Sequence, residues 1–112
     1  MDVTSLVTAE PFTTKDGSTI RELHHTALQS LAEATLAAGS ATERHYHAVT
    51  EEIYFLLDGE GEMELDGERR RVVPGEAILI PAGAWHEITA TADLRFLCCC
   101  VPAYSHDDTF FE

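Results

Sequence analysis

Apolar and polar positions along the chain alternate in short segments separated by turn-forming pairs. Ile53 to Leu57 reads IYFLL, β-branched, aromatic and apolar on both faces. Asp58-Gly59 and Asp66-Gly67 are hairpin-type turns that flank Glu62 to Leu65, where Met63 and Leu65 alternate with acids. Arg69 to Val73 predicts another short strand, stopped by Pro74-Gly75. Ala77 to Ile80 predicts a buried strand ending at Pro81, and Pro81-Ala82-Gly83 turns the chain. Trp85 to Thr89 and Leu94 to Val101 complete the set. Short strands with turn signals between them at this spacing indicate a sandwich or barrel.

The first part of the chain is less periodic. Residues 1 to 19 are polar, with a turn at Asp16-Gly17. Ile20 to Leu23 fits strand or helix. Ser30 to Leu36 (SLAEATL) is assigned to a strand, although Ala, Leu and Glu favour helix locally. The expected organisation is an N-terminal extension over 1–29, packed on the barrel or on a partner subunit, and a barrel over 30–112. Helix is expected only as a turn or two near the N-terminus.

Composition narrows the function. The chain has 112 residues, one domain's worth, and a formal charge of −13. That charge argues against nucleic acid and anionic membrane as partners, because both demand a basic surface. No segment approaches the roughly 20 apolar residues that span a bilayer. Met1 to Phe12 has neither the basic flank nor the apolar run of a secretory leader. The three cysteines are consecutive, Cys98, Cys99 and Cys100, so no disulfide framework is available and a cytoplasmic, reducing location is expected. By strand parity Cys98 and Cys100 follow Leu94 and Phe96 on one face, which reads as small buried hydrophobes rather than reactive thiols.

Candidate chemistry lies in the histidines. His45 and His47 are two apart, so on a strand both imidazoles share a face and can address one metal ion. Glu52 has the wrong parity for that face unless Ala48-Val49-Thr50 turns or bulges. His86 opens a strand after the Pro81-Ala82-Gly83 turn. Three imidazoles and a carboxylate suit one divalent transition metal, Fe, Mn, Ni, Co, Cu or Zn.

This framework resembles the cupin superfamily. Gly39 is followed after five residues by His45-Tyr46-His47, after four more by Glu52 and after six more by Gly59. Fifteen residues then separate Gly59 from Gly75, which is followed after five residues by Pro81-Ala82-Gly83 and after two more by His86. Ala90 stands where the family's second block has Asn. The resemblance implies an all-β double-stranded β-helix, or jelly roll, with His45, His47, Glu52 and His86 as metal ligands. Glu51 is the competing carboxylate, and Glu52 is preferred because it directly precedes the apolar strand.

By parity, Tyr54, Leu56, Met63, Ile88 and Phe96 point inward and are the expected pocket lining, with few fixed charges. Tyr46, Glu51, Tyr54 and His106 are weak candidates for proton transfer. The expected activity is metal-dependent chemistry on a small organic molecule with oxygen donors. A dioxygenase-like or other enol or acid reaction ranks ahead of an isomerase, decarboxylase or lyase. A non-catalytic small-ligand binding or sensing module, or a sugar-isomerase-like cupin, is the alternative. Arg21, Arg44 and Arg95 are the only basic residues placed to reach a phosphorylated ligand. A homodimer is expected, because Ile53, Phe55, Leu57 and Trp85 face away from the ligand side and need cover.

Overall fold

The computed structural model covers residues 1–112. Eleven strands follow in order: β1 (Phe12–Thr13), β2 (Thr19–His25), β3 (Ser30–Leu36), β4 (His45–His47), β5 (Glu51–Asp58), β6 (Gly61–Leu65), β7 (Glu68–Val72), β8 (Ala77–Ile80), β9 (His86–Ala90), β10 (Leu94–Val101) and β11 (Thr109–Phe111). They form two antiparallel sheets facing each other, one in the order β1-β2-β3-β10-β5-β8 and one in the order β11-β4-β9-β6-β7. This is the jelly roll that the resemblance implies, within the sandwich or barrel class that the spacing of strands and turns indicates. Ile20 to Leu23, open between strand and helix, is strand. So is Ser30 to Leu36, whose helix-favouring residues are overridden because β3 is paired on both sides, by β2 and by β10. The expected turn near the N-terminus is a single one, Thr8 and Ala9 N–H donating to Ser5 O (3.2 and 3.0 Å), and does not extend into a helix. The one helical element is a 3-10 turn at His106–Asp108, near the other end of the chain. No helix is long and apolar enough to cross a membrane.

The core lies between the sheets. On β5, Glu52, Tyr54 and Leu56 are buried while Glu51, Ile53 and Phe55 are exposed, as the two-residue period of a strand requires. Leu56 and Ile88, from opposite sheets, lose all exposure and pack with Phe96, Ile80, Leu94 and Met63. Gly59 makes the β5–β6 turn possible. Its φ is +89°, and a Cβ there would come within 2.8 Å of the Asp93 carbonyl carbon and 2.9 Å of Leu94 Cα.

The arginine run of β7 lies on the surface among acids. Arg69, Arg70 and Arg71 pair with Glu62, Glu76 and Glu60. The outer face of the larger sheet keeps Ile53 (39% exposed), Phe55 (38%), Leu79 (53%) and Val101 (59%) uncovered. Ile53 sits opposite Cys99 on one side and Leu79 on the other, so these residues form a continuous row. Trp85 does not extend that face. It lies at the other sheet and is half-buried, covered within the chain by Tyr46 (4.6 Å between ring centroids) and by the Arg44 guanidinium (5.2 Å). Leu57 is likewise half-buried.

Candidate metal centre

His45 and His47 leave β4 on the inward side, and His45 lies directly opposite His86, the first residue of β9. All three imidazoles are buried. One ring nitrogen of each lies within 4.8 Å of the others, a group able to hold a metal ion. The opposite edge of every ring is fixed by a backbone carbonyl. His45 Nδ1–H donates to Glu43 O (2.7 Å), His47 Nδ1–H to Asp108 O (3.1 Å) and His86 Nδ1–H to Ala84 O (3.0 Å). With Nδ1 donating, each Nε2 presents a lone pair to the centre.

Glu52 reaches this cluster from the other sheet. Its Oε1 lies 3.3 Å from His47 Nε2 and 3.7 Å from His86 Nε2, and its Oε2 accepts a hydrogen bond from the Cys100 thiol (3.2 Å). Glu51, the competing carboxylate, is exposed on the other side of β5. The parity problem between His47 and Glu52 is solved by a turn at Ala48-Val49-Thr50. The Asp108 carboxylate holds that turn by accepting from all three backbone amides (3.0–3.2 Å).

Two buried side-chain nitrogen or oxygen atoms lack any hydrogen-bond partner, Glu52 Oε1 and His86 Nε2. They face each other. Buried polar atoms are almost always paired, so two orphaned acceptors pointing at one spot fit a cation between them. Burial, reinforced by neighbouring His45, lowers the His86 pKa to about 4, so its ring is neutral at physiological pH. Burial works against charge on His47, yet the Glu52 carboxylate and Asp108 outweigh it and raise its pKa.

A cavity of about 50 Å³ opens beside the cluster, room for a few water molecules. Tyr54 and Phe96 line it, whereas Leu56, Met63 and Ile88 lie in the core rather than on its wall. Strand parity finds inward residues but does not separate cavity wall from packed core. The wall also carries groups that the sequence did not point to: Thr14, Asp16 and Ser18 from the β1–β2 turn, Cys98, and Tyr104. Asp16 Oδ1 accepts from Thr14 Oγ1 (2.5 Å), Ser18 Oγ (2.7 Å) and Ser18 N–H (2.9 Å). The expectation of few fixed charges meets Asp16 and Glu22 on the wall beside Glu52, with no Lys or Arg. Arg21 and Arg95 pair with Glu33, and Arg44 with Glu64 and Glu112.

Of the proton-transfer candidates, Tyr54 alone is at the cavity. Tyr46 stacks outside it on Phe110 (5.1 Å), and Glu51 and His106 are exposed. Burial raises the Tyr54 phenol well above its usual range, and it raises the Cys98 and Cys100 thiols as well. These groups stay protonated, so the thiols are not activated nucleophiles.

The fold and the site together define a cupin barrel. A protein-family model for the cupin domain matches residues 32–100, and the chain belongs to that family. It is 47% identical over 107 residues to the uncharacterized protein MJ1618 of Methanocaldococcus jannaschii, covering 89% of this chain and 86% of that one. Among solved structures, KdgF from Halomonas sp. superposes with a TM-score of 0.86 at 22% identity, covering 96% of this chain and 97% of that one. Pac13 of Streptomyces, a nucleoside dehydratase, superposes with a TM-score of 0.84 at 14% identity, covering 97% and 88%. At these identities the structural likenesses establish the fold alone.

Proposed function

We propose that the chain is a metal-binding cupin that holds one divalent transition metal through His45, His47, Glu52 and His86 and acts on a small organic molecule offering oxygen donors. The observation that carries this reading is the pair of orphaned buried acceptors, Glu52 Oε1 and His86 Nε2. With three neutral imidazoles and one carboxylate, a divalent ion would supply a Lewis-acid centre of net charge +1, which stabilises negative charge developing on a substrate oxygen.

The chain's own residues limit the substrate. A cavity of about 50 Å³ admits only a very small molecule or the reacting end of a larger one. Its wall has no Lys or Arg to hold a phosphate, which ranks a phosphosugar isomerase below enol or acid chemistry of the dioxygenase kind. The Tyr54 hydroxyl, kept protonated by burial, acts as a donor to a bound oxygen, and the Asp16 carboxylate as an acceptor for a substrate hydroxyl. Pac13's dehydratase activity keeps a lyase reaction in the test.

The protein is further read as a cytoplasmic homodimer. Its three cysteines are free, which suits a reducing compartment, and a second copy is the occupant proposed for the Ile53, Phe55, Leu79 and Val101 row. The functional test is oxygen uptake and product analysis for protein reconstituted with Fe²⁺, Mn²⁺ or Ni²⁺, against a panel of small enols, 2-oxo acids and a nucleoside. Turnover of an enol with oxygen consumption supports the leading reading. Turnover of the nucleoside alone moves the assignment to a lyase, and binding without any turnover moves it to a sensing module.

A further inference from the structure

The strand that carries His45 and His47 is short, and on its β9 side it is held by one residue pair and by a bond from Gly83 N–H to His47 O (2.6 Å). β4 has three residues, and a single pair, His45 with His86, joins it to β9. On its other side it pairs along its full length with β11, Thr109 opposite His47, Phe110 opposite Tyr46 and Phe111 opposite His45. The segment that supplies this support lies outside residues 32–100, the part of the chain the family model matches.

Asp108 concentrates the support in one residue. Its carboxylate accepts from Ala48 N–H (3.0 Å), Val49 N–H (3.1 and 3.2 Å) and Thr50 N–H (3.0 Å), the three residues between His47 and the start of β5. Its backbone carbonyl accepts from His47 Nδ1–H (3.1 Å). Thr50 Oγ1 donates to Pro102 O (3.1 Å), a second tie between the same turn and the C-terminal segment. One residue therefore fixes both the ring edge of His47 and the turn that brings Glu52 round to face it. A carboxylate accepting several backbone amides is a strong, charge-assisted arrangement.

We propose that Asp108 is a positioning residue for the centre, setting the His47 tautomer and the spacing of His47 from Glu52, so that the C-terminal segment is part of the metal site. This rests on the metal reading above for its effect on affinity, but not for its effect on His47. Groups that orient metal-ligating side chains change metal affinity about 10- to 100-fold when removed, and the removable group here is the carboxylate on the 48–50 turn, because the acceptor for His47 is the Asp108 backbone carbonyl.

The test compares wild type with Asp108→Ala, Asp108→Asn and Asp107→Ala. Asp107 is exposed and makes none of these contacts. Zn²⁺ affinity is measured by competition with a chromophoric chelator, and the His47 tautomer by ¹⁵N NMR of the metal-free protein. Asp108→Ala keeps the backbone carbonyl that accepts from His47 but removes the carboxylate that holds the 48–50 turn against it. It is therefore expected to weaken Zn²⁺ by about 10- to 100-fold and, by loosening that seating, to turn His47 from one Nδ1–H tautomer into a mixture. Asp108→Asn, which keeps size but replaces one acceptor oxygen by a donor, falls between. Asp107→Ala matches wild type. If Asp108→Ala does not fold, Asp108→Asn carries the comparison. Folded Asp108 variants with wild-type affinity and an unchanged His47 tautomer overturn the proposal. Wild type that binds no Zn²⁺ refutes the metal reading, and the tautomer comparison then decides on Asp108 by itself.

Discussion

Replacing Glu52 by Gln should make the metal-free protein more stable and the metal-bound protein weaker. In metal-free wild type, Glu52 Oε1 faces the Nε2 lone pairs of His47 at 3.3 Å and His86 at 3.7 Å with no hydrogen between them. A buried acceptor without a donor costs about 1–3 kcal/mol. A Gln amide brings two N–H donors to those two nitrogens, and its carbonyl still accepts from the Cys100 thiol. At pH 8 the metal-free Glu52→Gln protein should gain about 1–3 kcal/mol, which for a domain of this size raises Tm by about 4–12 °C.

The gain should shrink in acid. The folded pKa of His47 is raised, chiefly by Glu52 against the opposing effect of burial. The stability it contributes is full below its unfolded value of about 6.5 and is lost as pH rises through the folded value. Wild type therefore recovers below neutrality, when His47 is protonated and donates to Glu52, and the variant does not. His86, with a folded pKa of about 4, acts the other way. It costs wild type about 3 kcal/mol as pH falls from about 6.5 to about 4, and no less in the variant, which lacks the Glu52 charge that holds the His86 pKa up. Thermal melts of chelator-treated protein at about pH 8, 6 and 4, with a Zn²⁺-loaded comparison at pH 8, read all of this. A metal-free variant that melts at or below wild type at pH 8 would refute the reasoning.

Gly59→Ala should cost about 2 kcal/mol or more, because strained φ is joined by a clash with the Asp93 backbone. Gly67→Ala, at φ +90° in open space, should cost only the strain, about 1 kcal/mol. Equal melting temperatures for the two variants would show that the Asp93 contact is unimportant. The exposed row on the larger sheet should hold two copies together, so light scattering at micromolar concentration should give twice the chain mass for wild type and the chain mass for Phe55→Glu. A monomeric wild type would count against the homodimer.

Much of the fold is legible in the sequence because turn chemistry is local. Asp58-Gly59, Asp66-Gly67 and Pro81-Ala82-Gly83 mark where strands end, and two-residue periodicity places Tyr54, Phe96 and the cysteines on their faces. The ligand-bearing residues are legible for the same reason, since His45 and His47 share a strand face. The rest depends on contacts far apart in the chain. Nothing in residues 12 to 18 advertises that Asp16 and Ser18 reach the cavity, because a short turn takes its place from the sheet edge it closes. Asp108 looks like one acid of a polar tail, and only the pairing of β11 with β4 brings it to the amides of 48–50. Trp85 needs no second copy to cover it for a related reason: parity shows which side a residue leaves the sheet, not that Tyr46 and Arg44 already cover it.

The central claim is that four side chains hold one metal ion. Its most direct test is the metal content, by inductively coupled plasma mass spectrometry, of protein saturated with Zn²⁺ and dialysed free of excess, for wild type and for the His45→Ala/His86→Ala double variant. The account predicts about one ion per chain in wild type and close to none in the folded double variant, since a site stripped of two of its four ligands cannot retain the ion through dialysis. A full equivalent retained by the double variant, or none by wild type, would contradict it.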